Sequence, residues 1–131
     1  MKQILVVDDS PTIRRMVRAS LAPLFPTVDV LEAGSGLEAI ERLALAPIGL
    51  IVLDLNMPDM HGLEVLQFVR SHAKYRQVPI AVLTTRTDEQ SRSAAMQAGA
   101  SAYFTKPFAP DVLARELRKL FADDELTAGA R

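Results

Sequence analysis

The chain has 131 residues, 49% of them hydrophobic, which suits a single domain that buries most of its apolar surface and leaves no room for a second. Lys and Arg number 15 against 16 Asp and Glu, a formal charge of −1, so the totals favour no nucleic-acid partner. The longest apolar stretch, 43–53, is broken by Pro47 and falls short of the roughly 18 residues a membrane span needs, and the first apolar run ends at Asp8, too soon for a signal peptide. Zero cysteines exclude disulfides, thiolate metal sites and thiol nucleophiles, and fit a cytoplasmic protein.

In chain order, Gln3–Val7 is the first β-rich run and leads straight into Asp8 and Asp9. Ser10 followed by Pro11 predicts a helix cap and first turn, and Ile13, Met16, Val17, Leu21 and Leu24 recur at helical spacing. A second strand is predicted over Thr27–Leu31. Ser35 and Glu38 then form a capping box ahead of Ile40 and Leu43. The third strand, Leu50–Leu53, ends at Asp54, and a helix presenting Leu63, Leu66 and Val69 follows. Pro79–Leu83 runs into Thr84, and Thr87 with Gln90 repeats the capping box. The helix that follows has a thin apolar face of Ala94, Ala95, Met96 and Ala98, which predicts a loosely held element. The shortest strand, Ala102–Phe104, leads to Lys106. Pro110, Val112, Leu113, Leu117 and Leu120 mark the last helix, with Ala109 a poor cap. The expected division is a domain over 1–122 and a polar tail over 123–131.

Alternating strands and helices imply an α/β fold: parallel strands, right-handed crossovers and helices on both faces. Ligand sites in such open sheets lie beyond the carboxyl ends of the strands. Asp8, Asp9, Asp54, Thr84 and Lys106 all stand at such ends. Two carboxylates about 4 Å apart repel by roughly 4 kcal/mol at an effective dielectric near 20, so a cluster of three acids calls for a cation. Oxygen ligands without cysteine suit Mg²⁺, which commonly binds carboxylates together with a phosphate. A carboxylate nucleophile, a metal, the Lys106 ammonium and the Thr84 hydroxyl are the parts of an in-line phosphoryl transfer, with Asp54 the nucleophile.

The strings VVDDSPTIRRM at 6–16, DLNMPDMHGLEVL at 54–66, LTT at 83–85 and AYFTKPF at 102–108 resemble those of the response-regulator receiver domains of the CheY-like family, from Lys2 to about Phe121. The resemblance implies a flavodoxin-like (βα)5 fold with a five-stranded sheet in the order 2-1-3-4-5. It implies that Asp54 takes a phosphoryl group from a sensor histidine kinase. Asp9 and Asp54 would hold Mg²⁺ by side chain, Asn56 by its backbone carbonyl, and Asp8 through water. Lys106 would contact the phosphoryl group, Thr84 would swing towards it, and Tyr103 would turn inward beside the fourth helix. The Lys106–Pro107 bond would be cis, a form favoured only before proline. With no output domain in the chain, the phosphorylated form would act by diffusing, as a monomer or as a dimer formed on activation. The partner would be a target docked on the surface of the fourth helix, fifth strand and fifth helix. Asn56 and the strings around it resemble the chemotaxis-type subset, whose target is the flagellar motor switch. Thr85 and Arg86 depart from the usual small and acidic or variable residues, and a bulkier Thr85 is expected to slow phosphate turnover.

Other readings attach to single features. A phosphorelay intermediate shares the same site. A Mg²⁺-dependent aspartyl phosphohydrolase would need a second acid where Asn56 stands. Gly34-Ser35-Gly36-Leu37-Glu38-Ala39 fits a loose dinucleotide fingerprint but follows the wrong strand. His61 and His72 are read as loop residues without a role, and Arg14, Arg15 and Arg18 as a solvated basic face.

Overall fold

The computed structural model describes residues 2–121, so the predicted tail lies outside the described residues. Strands and helices alternate as β1 (Gln3–Val7), α1 (Pro11–Leu21), β2 (Val30–Ala33), α2 (Gly36–Leu45) and β3 (Ile48–Leu53), then α3 (Gly62–Ser71), β4 (Ile80–Thr84), α4 (Glu89–Gln97), β5 (Ala102–Thr105) and α5 (Pro110–Leu120). All strand pairs are parallel, in the order β2-β1-β3-β4-β5. That is the flavodoxin-like order the resemblance implied.

Successive residues of the central strands point to opposite faces, and both faces are buried. Leu5, Val7, Ile51, Leu53, Ile80 and Val82 pack against α2, α3 and α4. Ile4, Val6, Leu50, Val52, Ala81 and Leu83 face the other way, onto Val17 and Leu21 of α1 and Leu113 and Leu117 of α5. Phe25 and Phe121 close that second layer edge to face at 5.4 Å.

Strand β2 starts at Val30 rather than Thr27. Thr27 and Val28 have strong β propensity but follow the turn at Pro26, and pairing with β1 (Ile4 with Val30, Val7 with Ala33) draws Glu32 and Ala33 into the sheet instead. The cap of α4 is Asp88, not Thr87: its carboxylate accepts the Ser91 N–H at 2.9 Å, a charge-assisted bond that a threonine hydroxyl cannot match. Met16, Met96 and Val112 fit helical periodicity but lie on outer faces, 47%, 39% and 47% exposed. Only Ala95 of α4 is buried, so the thin apolar face is real and even thinner than its sequence suggests. Ala109 caps α5 without any side-chain hydrogen bond, as its residue type predicts.

Candidate functional site

Backbone pairing carries the site residues just past the strand ends. The Asp8 N–H donates to Ala33 O, the Asp54 N–H to Val7 O, and the Lys106 N–H to Thr84 O. Asp8, Asp9 and Asp54 are thereby brought together, each offering a carboxylate oxygen within 4.8 Å of the others. Lys106 reaches in from beyond β5 and donates to Asp8 Oδ2 at 2.8 Å and to Asp54 Oδ2 at 3.3 Å. Asp8 and Asp54 are almost fully buried and Lys106 nearly so, whereas Asp9 is exposed at the mouth.

Burial pushes the Asp8 carboxyl above its ordinary 3.8, and the bonds from Lys106 and the Ser10 N–H offset this only in part. Burial pulls on the Lys106 ammonium in the opposite sense, but the bond to Asp8 and the charges of Asp54 and Asp8 outweigh it and raise Lys106 above 10.5. The pocket thus holds more negative charge than one ammonium offsets. Three carboxylates with only oxygen donors fit a hard divalent cation, and the described residues could hold one.

Thr84 is fully buried at the end of β4, its hydroxyl accepting the Arg86 N–H at 3.4 Å. Asn56 is tied to the pocket by its backbone N–H, which donates to Asp54 Oδ1 at 3.2 Å. Tyr103 is not among the acids: its hydroxyl donates to the Arg86 carbonyl at 2.8 Å, on the β4–α4 loop, with the Arg92 guanidinium 5.6 Å from its ring centre. The Lys106–Pro107 bond is cis, as the resemblance implied.

Sequence reasoning missed three supports of the site. Arg86 donates from Nε to Asn56 Oδ1 at 2.8 Å, bridging the mouth from the β4–α4 loop to the β3–α3 loop. Arg14, read as part of a solvated face, is only 17% exposed and donates to the Asp8 carbonyl at 2.6 Å. Asp59 accepts the Gly36 and Leu37 N–H groups at 3.1 Å each, tying the β3–α3 loop to the first turn of α2. That carboxylate takes the donors a pyrophosphate would need, and a Cβ at Gly36 would lie 2.7 Å from Met60 Cβ, which disposes of the dinucleotide fingerprint. His61 also has a role: its Nδ1 accepts the Leu63 N–H and caps α3. His72 caps the other end of α3 and stacks on Tyr75.

A cleft of about 570 Å³ opens at the opposite end of the sheet, lined by Leu43, Leu45, Ile48, Tyr75 and Val78 with Lys74. It has no acid cluster and is remote from the strand ends that carry the chemistry.

The profile of the response regulator receiver domain family matches residues 4–118. The chain belongs to that family. This receiver domain is 39% identical over 124 residues to chemotaxis protein CheY1 of Helicobacter pylori, covering 94% of this chain and 99% of the relative. Among solved structures it superposes on the chemotaxis response regulator CheY4 of Vibrio cholerae with a TM-score of 0.83 at 35% identity, covering 92% of this chain and 99% of the other. It also superposes on the Mn²⁺-bound form of the response regulator Rcp1 with a TM-score of 0.78 at 28% identity, over 91% of each chain. CheY-like response regulators are signalling proteins, and a two-component role in chemotaxis is consistent with these likenesses. No helix among the described residues is long and apolar enough to cross a membrane.

Proposed function

We propose that this receiver domain accepts a phosphoryl group on Asp54 from a phosphohistidine of a sensor histidine kinase, with Mg²⁺ as cofactor. The observation that carries the reading is the meeting of three carboxylates within 4.8 Å, with the Lys106 ammonium bonded to two of them. Asp9 and Asp54 would hold the ion by side chain, Asn56 by its carbonyl and Asp8 through water, and the Mn²⁺-bound form described for Rcp1 supports a divalent site in this fold. When bound, the ion would neutralise charge on the phosphoryl oxygens.

An Asp54 carboxylate oxygen attacks the phosphorus, the P–N bond breaks, and the imidazole leaves, giving an acyl phosphate that water later hydrolyses. Lys106 offers its ammonium to the phosphoryl oxygens, and the Thr84 hydroxyl exchanges its bond with the Arg86 N–H for one to the phosphoryl group. That exchange would pull on the β4–α4 loop, and with it on the carbonyl that holds the Tyr103 hydroxyl. The consequence is a changed surface on α4, β5 and α5 that docks a downstream target.

The names of the chemotaxis relatives favour the flagellar motor switch as that target. We place the protein in the cytoplasm, as a monomer that can dimerise on activation, with the domain spanning 1–122 and the remainder a polar tail. Asn56 is an amide bonded to Arg86, so the general acid of an aspartyl phosphohydrolase is missing. Thr85, exposed at the mouth and 3.5 Å from the Asn56 amide, would slow hydrolysis, and Thr85→Ala should speed it.

Acetyl phosphate with Mg²⁺ should add one phosphoryl mass to the wild type and none to Asp54→Asn. An Asp54→Asn variant labelled as well as the wild type would refute the assignment. Transfer onward to a histidine phosphotransfer domain, rather than binding of a motor-switch protein, would mark a phosphorelay intermediate.

A further inference from the structure

Asp8 and Asp9 are neighbours held very differently. The Asp8 carboxylate bonds the Ser10 N–H at 2.9 Å and Lys106 at 2.8 Å, and its own N–H is taken by Ala33 O. Among the described residues the Asp9 carboxylate forms no hydrogen bond or ion pair, so its direction is set by the backbone it leaves from. One group outside the pocket grips that backbone. The Arg14 guanidinium donates from Nη1 to the Asp8 carbonyl, the oxygen of the peptide that joins Asp8 to Asp9.

Arg14 is itself clamped. Its Nε donates to Glu32 Oε1 at 2.8 Å, and Gly34 leaves just enough room beside it: a Cβ there would stand 3.2 Å from Nη1. Glu32 also holds Arg18 at 3.0 Å, and Arg18 donates to the Val30 carbonyl. Strand β2, at the edge of the sheet, is thus strapped through two arginines to α1 and to the acid loop. Only the fork of an arginine can bond a carboxylate with one nitrogen and a carbonyl with another in fixed directions.

We propose that Arg14, clamped by Glu32, is a positioning residue that fixes the Asp8–Asp9 peptide and so aims Asp9 into the acid pocket. This rests on reading that pocket as a divalent-cation site. The alternative, a purely electrostatic role, predicts the opposite sign. A guanidinium close to a cation site repels the cation, so deleting it would tighten binding, whereas losing the grip on the peptide would weaken it.

The test is Mg²⁺ titration of the metal-free protein followed by amide NMR, with wild type, Arg14→Met, Arg14→Lys and Glu32→Gln. Arg14→Met should weaken Mg²⁺ binding about tenfold, the low end of what groups behind metal ligands contribute. Arg14→Lys, which keeps the charge and loses the fork, should weaken it too, and Glu32→Gln by less. Unchanged or tighter binding in Arg14→Met, or wild-type binding in Arg14→Lys, overturns the proposal. Hydrogen exchange without metal gives an independent readout. The Asp9 and Ser10 amides should exchange faster in Arg14→Met while those of Leu113–Leu117 do not, and equal acceleration throughout would mean general destabilisation and overturn it. If the wild type gives no Mg²⁺ response, the cation-site reading fails, while the exchange comparison still decides whether Arg14 holds the peptide.

Discussion

The two rims of the acid pocket are built from different materials. On the β1–α1 side, Asp8 is buried, Ser10 caps α1, and the loop is gripped by an arginine that is only 17% exposed. On the β4–α4 side, residues 85–88 are all exposed, and they are held by the Tyr103 hydroxyl on the Arg86 carbonyl, the Arg86 side chain on Asn56, and two long bonds, Arg86 N–H to the Thr84 hydroxyl and the Asn56 amide to Thr85. Bonds of the second kind trade readily with water, and local opening there is cheap. One rim is suited to holding fixed groups and the other to movement, which is what the proposed function asks of this site.

Removing the ammonium that the buried acids between the rims share should give the largest effect. Lys106→Met leaves Asp8 and Asp54 buried without their shared ammonium, and should cost about 3 kcal/mol in urea denaturation at neutral pH without divalent ions. A carboxyl whose folded value is raised favours the fold only while protonated, and that advantage is lost as pH rises through the folded value. Asp8 is already raised, so the deficit should be greatest near neutrality and shrink as pH falls towards about 4, and Mg²⁺ should narrow it. A deficit independent of both would mean that Lys106 acts through packing.

Tyr103→Phe sharpens the contrast on the mobile side. It removes the donor that β5 offers an exposed loop, worth about 0.5–1 kcal/mol, and the change should appear as faster amide exchange over 85–88 with a midpoint shift well below that of Lys106→Met. Exchange changes reaching Asp8–Ser10 would erase the distinction between the rims. The smallest effect is on the fixed side. The Arg14 bond holds the Glu32 carboxyl below its ordinary 4.5, and this outweighs the opposing effect of burial. A lowered carboxyl contributes stability present above its unfolded value and lost as pH falls through its folded value. Acid titration below about 4.5 should therefore loosen the Asp9 amide more in wild type than in Glu32→Gln, while the Ser10 amide, bonded to Asp8, responds in both.

Much of the site was legible because its chemistry sits at the ends of strands, and strand ends are marked by where apolar runs stop. Asp8, Asp54 and Lys106 need no more than that. Arg14 was not legible, since its partner Glu32 lies on a separate element, strand β2, and nothing in helical periodicity separates it from Arg15, which is exposed. The start of β2 was misplaced because local propensity pointed to Thr27 while pairing with β1 decided the matter. His61 and Asp59 act through helix first turns, and a cap supplied two residues away or from a distant loop leaves no signature at the spacing a capping box uses.

Arg70 of α3 donates to the Gly99 carbonyl at 2.9 Å and to the carbonyls of Arg76 and Val78, and Gly99, at φ 109°, leaves no space for a side chain against it. The far end of α4 is therefore riveted to its neighbour, while the near end is held by its own Asp88 and an exposed loop. A helix fastened at one tip pivots rather than slides. Over the roughly 13 Å of α4, a tilt of about 10° would carry the free tip about 2 Å and leave the rivet still, so under the proposed function a target would gain most by touching the first turn.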